Sequence, residues 1–226
     1  RGPDYAAQFL KPDASRYLAQ LRSLADDIMD SDDSWIAELP SYDAAPTPVR
    51  GVNPTTLRSV VGAIRRNEAL EVKYQSLSRP EPSWRWIAPH AIGFDGFRWH
   101  TRAFCKTDEV FKDFLLSRIL QTRRVEASEV TDAADADWQQ HVTIEIGPHP
   151  ELSENQKKVI ALDYGMQCGS TKIKVRRALL YYTLKRLGLD VDPTARMPQD
   201  QQIVLMNADD ISTHRVPHSI PSSAEG

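Results

Sequence analysis

The stretch FRWHTRAFC, residues 97–105, alternates aromatic residues with Arg98, His100 and Arg102. Successive side chains of a strand point to opposite faces, so Phe97, Trp99, Thr101 and Ala103 share one face and Arg98, His100, Arg102 and Phe104 the other. The first set reads as core. The second reads either as a solvated face or as a surface built for something negatively charged and flat.

Working outward, the same two-residue period runs over residues 70–125. LEVKYQS, WRWIAPHAIGF, FRWHTRAFC, FKDFLLSRI and a short piece near Arg123 are separated by turn-rich segments such as SRPEPS and FDGF. Several short strands in close succession predict a small barrel, because closing a sheet removes its exposed edges. Pro89 must then lie at an edge or a bulge. Before this segment, apolar spacing predicts a helix over 15–29, then an extended connection through Pro40, Pro46 and Pro48. A second helix starts at Asn53-Pro54, an N-cap followed by the favoured first-turn proline, and ends near Asn67.

After the strands, an Ala- and Asp-rich linker spans 126–137. A strand over 141–146 follows, then a helix opened by the capping box Ser153/Gln156. A strand over 171–175, a helix over 176–187 ended by Gly188 and a strand over 203–206 complete the pattern. The Ser- and Pro-rich tail after His214 is expected to be disordered. The fold class is α+β.

The chain has 226 residues and a formal charge of −3, so no overall attraction to nucleic acid or an anionic membrane is expected. Charge is uneven, however: residues 71–125 carry ten cations against six carboxylates. Two cysteines, Cys105 and Cys168, without CxxC suggest neither a disulfide framework nor a zinc site, and a cytoplasmic setting is the default. No run approaches the roughly 18 apolar residues of a membrane span. There is no GxGxxG, P-loop, GxSxG or HExxH, and the histidines do not pair as metal ligands. The carboxylates concentrate in linkers and on helix surfaces, where solvation is expected. Neither an enzyme nor a metal or cofactor is expected.

Tyr74 and Ser76 on the first strand, Arg85 and His90 on the second, His100 and Arg102 on the third and Arg118 after the fourth offer donors for phosphate oxygens. With Trp99 they also offer rings for stacking on a base. The alternative is a wet sheet face. A second basic feature, TKIKVRRALLYYTLKRLG, sets Lys172, Lys174, Arg176, Arg177, Lys185 and Arg186 around an apolar stripe. It could lie on nucleic acid or an acidic membrane, but a helix packed on its own sheet is the preferred reading.

At these residues the segment over 70–125 resembles a WYL domain of bacterial transcriptional regulators. The family steps stand here as KYQS (73–76), RWIAP (85–89), WHT (99–101) and FKDFLLSRI (111–119). The naming triplet is altered: Trp99 is kept, while His100 and Thr101 replace Tyr and Leu. WHTRA together with FKDFLLSRI is similar to the branch linked to phage-defence operons. FLKP (9–12) resembles that branch's bridge from a winged helix-turn-helix, and LSENQKKVIALDYGM and RRALLYYTLKRLGLD resemble its C-terminal extension.

The resemblance implies a homodimeric repressor with no membrane partner. It would have a winged helix-turn-helix upstream of Arg1 for operator DNA, an SH3-like WYL barrel that senses a ligand, and a C-terminal dimerisation extension. The corresponding bounds are 1–67 for a helical linker, 68–130 for the barrel, 138–213 for the extension and 214–226 for the tail. Carried over, Tyr74, Trp99 and His100 would stack or orient a ligand. Ser76, Arg85, Arg102 and Arg118 would hold phosphate beside His90, while Phe111 and Phe114 would fill the core. The expected ligand is a nucleotide or oligonucleotide. The alternatives are a direct single-stranded nucleic-acid-binding module or an accessory regulator of a defence enzyme.

Overall fold

Helix α1 (Ala14–Ala25) occupies most of the span expected for the first helix and carries an Arg22–Asp26 ion pair of 2.7 Å. The structure, a computed structural model, describes residues 14–26, 28, 29, 40–45 and 51–214. The FLKP bridge, Pro46, Pro48 and the tail beyond His214 lie outside the described residues. The chain divides into two units, residues 1–49 and 50–226, and every element after α1 belongs to the second.

Local chemistry sets both ends of α2 (Pro54–Arg66). The Asn53 side chain accepts the N–H groups of Thr55 and Thr56 at 2.9 and 3.3 Å, and Pro54 takes the first turn, where its missing N–H is not needed. Asn67 ends the helix in the left-handed region, with φ of 53°, and its N–H returns to the carbonyls of Ala63 and Ile64. Its side-chain amide also donates to the carbonyl of Ser128 at 2.8 Å, while the Ser128 N–H donates to the Asn67 carbonyl at 3.1 Å.

Between those two residues lies an antiparallel sheet of β1 (Glu68–Tyr74), β2 (Ser83–Phe94), β3 (Trp99–Cys105), β4 (Val110–Leu115) and β5 (Ile119–Ala127), in the order β4-β3-β2-β1-β5. The long β2 pairs with β1 over its first half and with β3 over its second. The register with β3 slips between Pro89 and Ala91, a bulge that accommodates a proline unable to donate to a ladder. β4 and β5 are the ends of this order, and a ladder closing the expected barrel is not among the pairings of the described residues. Val60 and Ala63 of α2 pack with Leu70, Val72, Ile87, Ala103, Phe114 and Ile119 as its core.

The structure corrects the expectation for both faces of β3. Thr101 and Ala103 are buried as anticipated, but Phe97 is 60% and Trp99 49% exposed. The reason is the hairpin: the Asp95 carboxylate accepts the N–H groups of Phe97 and Arg98, forming a tight tip that carries both rings beyond the core. The other face is not wet. His100 and Arg102 are only 3% and 6% exposed.

The covering comes from the C-terminal part: α3 (Ala136–Gln139), β6 (His141–Pro148), α4 (Glu154–Asp163), β7 (Thr171–Arg176), α5 (Leu180–Arg186), α6 (Pro198–Gln201), β8 (Ile203–Leu205) and α7 (Ala208–His214). Its sheet runs β7-β6-β8, and Val142, Ile144, Ile146, Ile160, Leu180 and Ile203 fill its core. The capping box at Ser153 and Gln156 forms as expected. The basic helix is shorter than expected, because Arg176 ends β7 and Arg177–Leu179 form a 3-10 turn before α5. Phe114 meets Tyr74 edge to face at 5.0 Å in the first core. Phe114→Ala is expected to destabilise the fold by about 3–5 kcal/mol in urea denaturation.

Candidate functional site

Arg102 projects from β3 into a set of carboxylates. Its Nε and Nη2 donate to the two oxygens of Asp135 at 2.6 and 3.1 Å, and Asp113 and Asp137 approach it at 3.5 Å. The same Asp135 carboxylate lies 3.0 Å from Nε2 of His90, the residue at the β2 bulge, and accepts the Trp138 N–H at 3.2 Å as the N-cap of α3. Burial pushes the Asp135 carboxyl up, but the bonds from His90, Arg102 and the Trp138 N–H outweigh it and hold the group well below the usual carboxylate range. Burial works against the Arg102 charge in turn, and Asp135 followed by the charge of Asp113 more than restores it.

A second cluster adjoins the first. Asp95 lies 2.9 Å from His100 Nε2 and accepts Arg98 Nε at 2.8 Å. Against the upward push of burial, these bonds and the two backbone N–H groups hold its carboxyl far below the ordinary value. The His100 ring lies 4.9 Å from that of Tyr182 on α5, whose hydroxyl donates to Asp113 at 3.0 Å. Burial, and then the negative charge of Asp113, pushes the Tyr182 phenol up. Asp113 thus links Arg102 to α5. Nδ1 of His90 and of His100 are buried without a hydrogen-bond partner among the described residues.

The remaining expected site residues stand elsewhere. Arg85 is buried and donates to Asp108 at 3.0 Å. Asp108 also accepts the Cys105 thiol at 3.0 Å, and that bond, with Lys112, draws its pKa down to about 2. The Tyr74 hydroxyl accepts the Leu115 N–H at 3.3 Å, and the Ser76 hydroxyl lies 2.6 Å from that of Ser78. Arg118 joins them at that end of the sheet, where its carbonyl accepts the Gln75 N–H. Trp99 sits at the exposed tip against Phe94, with ring centroids 4.7 Å apart. The eight residues therefore do not converge on one pocket: His90, His100 and Arg102 form a buried group, and the others are distributed around it.

Sequence reasoning missed the anions. Carboxylates as a class read as solvated linker and helix-surface groups, yet Asp95, Asp113 and Asp135 neutralise cations of the middle segment. The readable signal is Asp135 three residues before Trp138, an N-cap spacing inside the Ala- and Asp-rich segment. Other cations of the middle segment are also engaged: Arg123 lies over Trp84 and pairs with Glu71, and Lys106 lies over Trp86 and pairs with Glu126. Among the described residues no group of three or more His, Cys, Asp or Glu could hold a metal, and no helix is long and apolar enough to cross a membrane.

Comparison with known proteins agrees with this architecture. The WYL domain model matches residues 55–124, and the model of the BrxR transcriptional regulator, C-terminal dimerization domain, matches residues 141–211. The DNA-binding transcriptional repressor CapW of Stenotrophomonas maltophilia is 36% identical over 210 residues, covering 92% of this chain and 70% of that protein. The chain belongs to the CapW family. CapW repressors of Escherichia coli (strain KTE188) and Pseudomonas aeruginosa are 38% and 39% identical over 168 and 170 residues, 74% of this chain and 56% of each relative. The CapW relatives are named as transcriptional repressors and not as enzymes, in line with the sequence reading.

Asp135→Ala is expected to destabilise the fold by about 3–5 kcal/mol, because it leaves the buried Arg102 charge without its main partner. Asp95 and Asp135 both titrate lower folded than unfolded. Their stabilisation is therefore complete above the ordinary carboxylate value of about 3.9 and is withdrawn as pH falls towards the folded values. Melting curves against pH are expected to show a loss of stability below about pH 4 that is shallower in Asp135→Asn than in the parent chain.

Proposed function

We propose that this chain is the effector-sensing and dimerising portion of a transcriptional repressor. In this reading a nucleotide or short single-stranded nucleic acid bound at the WYL sheet alters operator binding by the longer protein, in the cytoplasm and in control of a phage-defence operon. The observation that carries it is the bidentate grip of Asp135 on Arg102. That geometry is the one in which a guanidinium also holds phosphate, so Asp135 occupies the position of an anionic ligand.

Competition for Arg102 would then be a signal. Asp135 caps α3, and α3 leads directly into β6, the first strand of the dimerisation segment. A phosphate that takes Arg102 loosens that connection. The exposed Phe94–Trp99 pair supplies a stacking surface for bases, and Arg98 behind it shares Asp95 with His100, which ties the tip to the buried group. A ligand shifts the repressor only to the extent that it binds two arrangements unequally, and a coupling of about 1–3 kcal/mol changes operator affinity roughly 5- to 150-fold.

Fluorescence anisotropy with a short labelled single-stranded oligonucleotide tests the reading. Asp135→Asn removes the competing charge yet keeps a side chain that caps helices well, so it is expected to bind about tenfold more tightly. Arg102→Gln and Trp99→Ala are expected to bind more weakly. Equal affinity across all four proteins would overturn the proposal.

A further inference from the structure

Two stripes of α5 face different partners. Leu180 and Leu184 share the C-terminal core with Ile144 and Ile203, whereas Leu179, Tyr182 and Arg186, also at helical spacing, meet the β2–β3 hairpin. A Cβ on Gly93 would stand 3.5 Å from Leu179, and the Tyr182 ring lies 4.9 Å from that of His100. A Cβ on Gly96 would stand 2.8, 3.0 and 3.1 Å from Cδ, Nε and Cζ of Arg186. Gly96, with φ of 98°, thus lets the guanidinium lie against the turn that joins Phe94 to Trp99. Arg186 is exposed and, unlike Lys172 and Arg177 of the same basic run, pairs with no carboxylate among the described residues.

We propose, building on ligand sensing at the hairpin, that Arg186 is a second phosphate contact and that the ligand is an oligonucleotide rather than a mononucleotide. Phe94 and Trp99 pair at the end of the β2–β3 ladder, with Gly96 in the turn beyond them. Arg102 stands three residues the other way along β3, about 10 Å from Trp99. Along the strand the two rings therefore lie between two guanidiniums. A single phosphate cannot reach both, whereas an oligonucleotide carries a phosphate on either side of each internal base. Asp95, the carboxylate of the turn, is already shared by Arg98, His100 and two backbone N–H groups, which leaves Arg186 to an external anion. Lys185, 5.6 Å from the Tyr181 ring centre, adds positive charge beside it. A strand held in this way fastens the hairpin to the helix whose other stripe lies in the C-terminal core, a route to that segment separate from Asp135.

Anisotropy of a labelled single-stranded oligonucleotide on the full chain, repeated over a range of salt, tests the contact. Arg186→Gln is expected to bind about tenfold more weakly, with an unchanged melting temperature. Its plot of log affinity against log salt is expected to be shallower by about 0.7, the share of one phosphate on a single strand. Arg186→Lys is expected to keep the parent slope, and so is Lys158→Gln, a cation exposed on α4. In competition, a 5′-phosphorylated dinucleotide is expected to displace the probe from the parent about tenfold better than a mononucleotide and to lose most of that advantage in Arg186→Gln. If Arg186→Gln matches the parent in affinity and slope while Arg102→Gln and Trp99→Ala bind weakly, the Arg186 contact is refuted and sensing at the sheet stands. Equal competition by the two nucleotides refutes the oligonucleotide assignment. A parent chain that does not bind the probe, or binds it through Arg186 with no contribution from Arg102 and Trp99, refutes both.

Discussion

One carboxylate decides how the two sheets of the C-terminal unit meet. An arginine buried on a central strand is tolerable only if an anion accompanies it, since an unpaired buried charge costs several kcal/mol. Asp135 is that anion, and it comes from the segment that follows the WYL sheet. The chain must therefore turn back over β3 before it can begin β6. The same two oxygens also serve His90 and cap α3, so displacement of the carboxylate would expose three groups together. This concentration of roles makes the contact strong in place and consequential when broken.

Much of the fold was legible because its signals are local. Asn53-Pro54 and the Ser153/Gln156 box each satisfy backbone donors within four residues, and the Pro89 bulge follows from a missing N–H. The succession of strands along the chain also followed from alternation, though not their order in the sheet. What could not be read was the far side of β3. Alternation distinguishes two faces but does not say what covers them, and here one face meets the α2 core while the other meets α3 and α5. His100 and Arg102 owe their burial to Asp135 and Tyr182, partners far along the chain that leave no trace in the local pattern. Phe97 and Trp99 failed in the opposite sense, because the Asp95 turn lifts them away from the interior.

The basic excess of the middle segment shows a related difference between charge written in a sequence and charge presented to a partner. Glu71, Asp95, Asp108, Asp113 and Asp135 each hold an arginine or lysine of that segment. The helix region is similar, with Arg177 held by Asp137, Lys172 near Glu145, and Arg176 over the Trp138 ring and bonded to its carbonyl. Cations counted in pairs of this kind fasten one part of the chain to another, and their attraction for an external anion depends on what releases them.

The clasp between Asn67 and Ser128 reaches further than its two hydrogen bonds. These residues are 61 positions apart, yet the chain enters and leaves the five-stranded sheet at a single place. Everything between them forms a loop whose mouth is sewn shut. The separation of the segments on either side of the sheet is therefore fixed at this one place, whatever the lengths of the strands and hairpins between them.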